Sequence, residues 1–460
     1  MKQEPDNVAK KPGFYQFFTR SHSAIALLPS QCFLVGMNLH SNLRPTGKFL
    51  VIHGLLFCSL ILAAAEQVGP WRMDELRKTP AMHWVSREGP VHSLLYTSET
   101  YQENPTEVFA FFASPVTLGE AKPGAKFPGV VLVHGGGGTA FAEWTWLWAK
   151  RGYAAIAMDL GGSRPIDPVY DPKTGVPVPY QASNPATFTR LPNGGPPQEH
   201  PQKFDSISGP VSDHWPFHAV ASVIRAHSLL RGISEVDASR TALTGISWGG
   251  FTTCIVASLD DRFKAAVPVY GCGFLHEGES VQRPCIDKLG DMRQTWIDAY
   301  DPSAFLGRCR VPILFANGTS DVHYPLDSYQ KSFDLVPGTK QMRIQVSMPH
   351  GHNVGWEPEE IGLFIDTYCR SGKQLAVPGE PVITGEQVRV SYTARVPLTE
   401  AALHFTSDTG PRSKRTWKSI PAGIHEQSIT APKPPQNANT WYLSLTDERG
   451  AMVTTAVQFQ

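Results

Sequence analysis

Charge of one sign is the first thing this sequence lacks. Lysine and arginine together number 41, aspartate and glutamate together 41, and charged residues make up 18% of 460. No long block of like charge occurs. A chain so balanced carries no electrostatic footprint for nucleic acid or for an anionic membrane surface. Internal repeats are missing, which excludes a propeller or solenoid built from them. The apolar run Phe49 to Leu62 is short for a membrane span. Cysteine is sparse: Cys32, Cys58, Cys254, Cys272, Cys285, Cys309 and Cys369. Five of the seven lie beyond residue 65, and an odd number leaves at least one thiol free. Cys254 reads as a buried core residue. Cys272 could bridge to Cys285 or Cys309 in an oxidising compartment, and the sequence does not choose between them.

What is present is a nucleophile motif. Gly245-Ile246-Ser247-Trp248-Gly249-Gly250 follows the apolar run Thr241-Ala242-Leu243 and precedes a helix expected over 251–259. The order strand, sharp turn, helix strains the backbone at the serine and lifts its hydroxyl above the sheet. Small neighbours are needed because a side chain would clash there. A serine hydroxyl alone is a weak nucleophile, so the pattern demands a base, an acid and an oxyanion hole elsewhere.

Each has a candidate. Val130 to Val133 reads as a buried strand, and His134-Gly135-Gly136-Gly137-Gly138 follows it directly. Glycine N–H groups there can face a substrate oxygen, and Gly136 or Gly137 would pair with the Trp248 N–H. A phosphate loop is disfavoured, because Thr139 and Ala140 supply no Lys-Ser/Thr ending. The strand-like run 311–316 closes in Asn317-Gly318-Thr319-Ser320-Asp321, which leaves Asp321 on a loop. Asp327 is the rival acid, but beside Pro325 it reads as a helix-start residue. The alternating run 342–348 ends in Pro349-His350-Gly351-His352. His350 is the favoured base, nearer the strand end and freed by the glycine after it, with His352 the alternative. As a metal site the His-Gly-His pair has no third ligand at helpful spacing, and no cofactor is implied.

With these residues the chain resembles the secreted α/β-hydrolases of the acetylxylan-esterase and prolyl-oligopeptidase-like groups. The resemblance rests on the glycine loop 134–138, the run Ala154 to Asp159, the elbow 245–250, the loop 317–321 and the segment 349–352. It spans roughly residues 91–370. It implies an α/β-hydrolase fold with a mostly parallel, doubly wound sheet and a Ser247, His350, Asp321 triad. It implies a serine hydrolase that cleaves carboxylic esters through an acyl-enzyme, with acylated carbohydrate the favoured substrate. The partner is then a small-molecule or carbohydrate ester. An exported aminopeptidase or acyl-peptidase is the first alternative, although relatives of that kind carry a large propeller for which this chain has no room. A non-catalytic carbohydrate- or partner-binding protein is the second.

The rest of the chain divides by pattern. Residues 1–36 read as a non-structural extension, with Met37 the expected start. Residues 37–65 read as a signal peptide: Arg44 and Lys48, then the apolar run, then Ala63-Ala64-Ala65. Cleavage near Ala65 would make the protein secreted or periplasmic. An uncleaved segment would instead anchor it, and only then would a membrane be a partner. Residues 66–373 read as the catalytic domain. Within it, 161–211 and 274–301 are aperiodic and read as substrate-side insertions, with Trp296 and Tyr300 as pocket walls. Trp144, Trp146 and Trp148 cannot share one helix face. Residues 374–460 show only strand patterns and read as a small Ig-like β-sandwich.

Overall fold

The computed structural model describes residues 66–179 and 185–460. The extension and the signal or anchor segment expected over 1–65 lie outside the described residues. Three antiparallel strands come first: β1 (Met82–Ser86), β2 (His92–Tyr101) and β3 (Asn104–Ala113). Strand β4 (Phe127–Val133), helix α1 (Ala142–Lys150) and strand β5 (Ala154–Met158) follow. Helix α2 (Trp215–Gly232) leads to β6 (Val236–Ile246), helix α3 (Trp248–Leu259) and β7 (Ala265–Val269). Helix α4 (Arg293–Tyr300), β8 (Ile313–Gly318), α5 (Leu326–Leu335), β9 (Lys340–Gln345) and α6 (Glu359–Cys369) complete this part.

Strands β4 to β9 pair in the order β9-β8-β7-β6-β4-β5, all parallel, and β3 joins β5 antiparallel. This is the mixed, mostly parallel sheet of an α/β-hydrolase. Val130 to Val133 and Ala154 to Met158 are buried along their length. Strands covered on both faces must be apolar on both, so they read as continuous runs. Helices α2 and α3 pack together against one face. Helices α1 and α6 share the other, where Arg151 pairs with Glu359 and Asp366 at 3.0 Å each. Trp144 and Trp148, one turn apart, face the core, and Trp146 is the half-buried one, with the Lys150 ammonium 5.6 Å over its ring.

Both aperiodic insertions carry short elements. In the first, Ser163–Pro165 pairs with Phe188–Arg190, and a single-turn helix spans His200–Lys203. The second holds Arg283–Asp287 and α4. Elements of one or two turns leave too little periodicity to read.

Beyond residue 374 the strands are antiparallel. They include β10 (Gln387–Thr393), β11 (Leu398–Thr406), β12 (Lys418–Pro421), β13 (Ser428–Pro432), β14 (Thr440–Asp447) and β15 (Met452–Thr454). Strands β10 and β13 belong to a separate small sheet. The others do not form a second free-standing sheet. Strand β15 pairs with β9 through Thr454 and Met342, so the order β12-β11-β14-β15 prolongs the hydrolase sheet. The last strand-patterned stretch is broken into β15 and Gln458–Phe459. The junction is polar and buried: Glu360 accepts from the Met452 N–H at 2.7 Å and meets Arg343 at 3.3 Å. Cys254, Cys272, Cys285, Cys309 and Cys369 are all free thiols, so the bridge considered for Cys272 does not form.

Candidate active site

Ser247 sits between β6 and α3 with φ +60° and ψ −117°. A non-glycine residue in that region is strained by about 1–3 kcal/mol, and the packing here enforces it. A Cβ on Gly249 would lie 2.1 Å from the Val133 oxygen. Only glycine lets α3 start so close to β4. The Ser247 N–H donates to the Val269 carbonyl at 2.8 Å, which fixes the turn to β7.

The hydroxyl of Ser247 lies 2.9 Å from Nε2 of His350, and Nδ1 of His350 lies 2.8 Å from Oδ2 of Asp321. The other Asp321 oxygen accepts from the N–H groups of His323 at 2.7 Å and Tyr324 at 3.0 Å. With Asp321 thus held, Nδ1 of His350 carries the proton and Nε2 faces the serine. The imidazole stacks on Tyr270 at 4.4 Å and lies 4.7 Å from the ring of His323. Burial, and then the neighbouring His350, push the His323 pKa down. Asp327 is elsewhere, in the first turn of α5, meeting Arg412 at 3.3 Å.

His352 does not reach the serine hydroxyl. Its Nε2 accepts from the Gly135 N–H at 2.9 Å, and its ring lies 4.8 Å from that of Phe141. Burial, then the nearby His134 and His350, lower its pKa to about 3, so it stays a neutral acceptor. His134 braces the same loop from below. Its Nδ1 meets the Gly135 carbonyl at 2.7 Å, and its Nε2 accepts from the Leu160 N–H at 2.9 Å. Burial lowers its pKa to about 4.

The glycine loop comes close to the elbow because it lacks side chains. A Cβ on Gly135 would be 2.9 Å from Cβ of Ser247 and 2.8 Å from the Ile246 oxygen. A Cβ on Gly136 would be 2.8 Å from the Trp248 indole, and Gly137 takes φ +72°. Among the described residues, the N–H groups of Gly136 and Gly137 donate to no protein acceptor. The Trp248 N–H opens α3 in its first turn, where helical N–H groups lack a partner within the helix.

The first insertion closes over this loop. Gln198 donates to the Gly138 carbonyl at 2.6 Å, and Lys203 donates to the Gln198 carbonyl. Trp296 of α4 donates to the Lys203 carbonyl at 2.8 Å, tying the two insertions together. Trp296 and Tyr300 are buried in the core behind the site, not free as pocket walls. Trp296, Phe204, Trp248 and Trp215 form an aromatic wall, with ring centroids 5.2 to 5.8 Å apart in successive pairs. Gln198, Lys203, His134 and His323 were not legible as site residues. The first two lie in an aperiodic segment, and the histidines act through backbone contacts that no spacing encodes.

A model of the Dienelactone hydrolase family matches residues 116–348. No curated protein matches the chain significantly. Among solved structures, an acetyl xylan esterase from Paenibacillus sp. R4 is similar at 22% identity and TM-score 0.48, over 64% of this chain and 92% of that one. Acetyl Xylan Esterase 1 from Thermoanaerobacterium sp. JW/SL YS485 is similar at 13% identity and TM-score 0.46, over 64% and 93%. The acylaminoacyl peptidase of Pyrococcus horikoshii is similar at 17% identity and TM-score 0.38, over 56% of this chain and 38% of that one.

Proposed function

The chain belongs to the dienelactone hydrolase family, and from that premise we propose that it is a serine esterase using Ser247, His350 and Asp321. The observation that carries the reading is the unbroken relay Asp321, His350, Ser247 at 2.8 and 2.9 Å, set on a strained elbow. His350 takes the Ser247 proton as Oγ attacks the acyl carbon. Asp321 holds the imidazole in the working tautomer and stabilises its charged form. The carbonyl oxygen becomes an oxyanion received by the N–H groups of Trp248 and of Gly136 or Gly137. His350 then passes its proton to the leaving alcohol, and water releases the acid from the acyl-enzyme by the same relay.

Acylated carbohydrate is the substrate class we favour, on the motif resemblance alone. In the same reading, residues 66–373 are the catalytic domain, and 374–460 an Ig-like sandwich that braces it, one of its two sheets being continuous with the hydrolase sheet. Export rests on the pattern of residues 37–65, and N-terminal sequencing of the mature protein tests it. The test of activity is a paired assay. p-Nitrophenyl acetate should be turned over and an aminoacyl p-nitroanilide should not. Preference for the anilide would replace the esterase reading with the peptidase one.

A further inference from the structure

Among the described residues, Lys203 is the one strongly buried lysine beside the glycine loop, only 7% exposed. Its ammonium lies 5.0 Å over the Trp215 ring and 5.0 Å over the Trp248 ring. Its one hydrogen-bond acceptor among the described residues is the Gln198 carbonyl, and no carboxylate lies within ion-pair distance. A buried charge without a counter-ion is costly, and two indole faces and one carbonyl offset only part of that cost. The place where it is kept is informative. Nζ lies 3.5 Å from where a Gly136 Cβ would stand, hence within roughly 6 Å of the Gly136 N–H, two bonds further on.

We propose that the Lys203 ammonium supplies the counter-charge for the oxyanion formed at Ser247, acting through space from behind the glycine loop. This rests on the serine-esterase reading above. Lys203 touches neither the reacting atoms nor a proton in flight, so it is an electrostatic and positioning residue. Negative charge appears on the carbonyl oxygen only as Ser247 attacks. A fixed cation nearby therefore lowers the barrier without tightening binding of a neutral ester. At an intermediate dielectric and a separation of several ångströms, its removal should cost on the order of 10- to 100-fold in kcat.

The surroundings leave the cation able to titrate. Facing it are His134 from the loop, held neutral, and Glu199 on its own segment. Burial lowers its pKa to about 8, with Glu199 opposing weakly. Kept charged below that pH, Lys203 costs the fold stability; losing its proton earlier than in the unfolded chain, it makes stability rise with pH above about 8.

The experiment compares wild type, Lys203→Met and Ser247→Ala on p-nitrophenyl acetate, with thermal unfolding of each. Expected are a wild-type kcat that falls as pH rises through about 8, and a Lys203→Met kcat that is uniformly low and lacks that fall. KM should be nearly unchanged. Unfolding of Lys203→Met at pH 7 should be no earlier than wild type, whereas a merely structural lysine predicts earlier unfolding. A Lys203→Met enzyme with the kcat and pH profile of wild type overturns the inference. So does one whose only defect is a raised KM for carboxylate-bearing esters. Wild-type turnover that survives in Ser247→Ala, or no turnover at all, overturns the serine reading itself and this inference with it.

Discussion

His350 and His352 are separated by one glycine, and their surroundings set them apart. His350 faces Ser247 and Asp321, while His352 holds the Gly135 N–H. His350→Ala should therefore cost kcat as much as loss of the serine, on the order of 10⁶-fold, because members of a triad act as a unit. His352→Ala should cost on the order of 10- to 100-fold, since it only loosens the loop. His352→Gln, whose amide oxygen can still accept from Gly135, should recover part of that loss. The pH-rate profile separates the two roles. His352, held down to about 3, is neutral throughout an ordinary assay, so its variants keep the acid limb of wild type. A shifted limb in His352→Gln would move the base two residues along. At this scale much was legible. Serine, acid and histidine each stand in a loop just past an apolar run, and sequence shows such ends well. The second duty of His352 was not legible, because a hydrogen bond to a backbone amide far along the chain leaves no mark on local spacing.

Among the elements, the parallel strands were the most legible, since burial on both faces writes itself as unbroken apolar runs such as 130–133. The C-terminal strands were legible as strands, but their partners were not. Pairing of β15 with β9 joins residues more than one hundred positions apart through Thr454 and Met342. Ending the chain after Gly372 strips that edge from β9. It also leaves Glu360 and Arg343, both buried, without the Met452 N–H and the strands that cover them. Such a truncation should unfold at lower temperature and tend to associate, as an exposed strand edge does. Thermal unfolding with light scattering reads both. In whatever fraction stays folded, kcat on p-nitrophenyl acetate should survive, because Ser247, His350 and Asp321 are all retained. A well-folded truncation with no ester turnover would show that the C-terminal strands shape the site.

The molecule as a whole carries several histidines that its fold keeps neutral. Burial lowers the pKa to about 4 in His134 and His404 and to about 3 in His352, from an ordinary 6.5. The unfolded chain takes up these protons as pH falls below about 6.5, and the folded chain does not. Stability should therefore be full above that pH and fall steadily toward about 4, by about 1.4 kcal/mol per pH unit for a fully buried group such as His134. Thermal unfolding between pH 7.5 and 4.5 measures this, and a midpoint that does not fall would contradict the burial of these rings. The central claim, that Ser247 is the nucleophile of an intact relay, has a more direct measurement. Incubation of the intact protein with a fluorophosphonate, followed by whole-protein and peptide mass spectrometry, reads which side chain is activated. The account predicts a single adduct, on Ser247, absent from Ser247→Ala and strongly slowed in His350→Ala. An unlabelled Ser247, or an adduct that persists on another residue in Ser247→Ala, would contradict it.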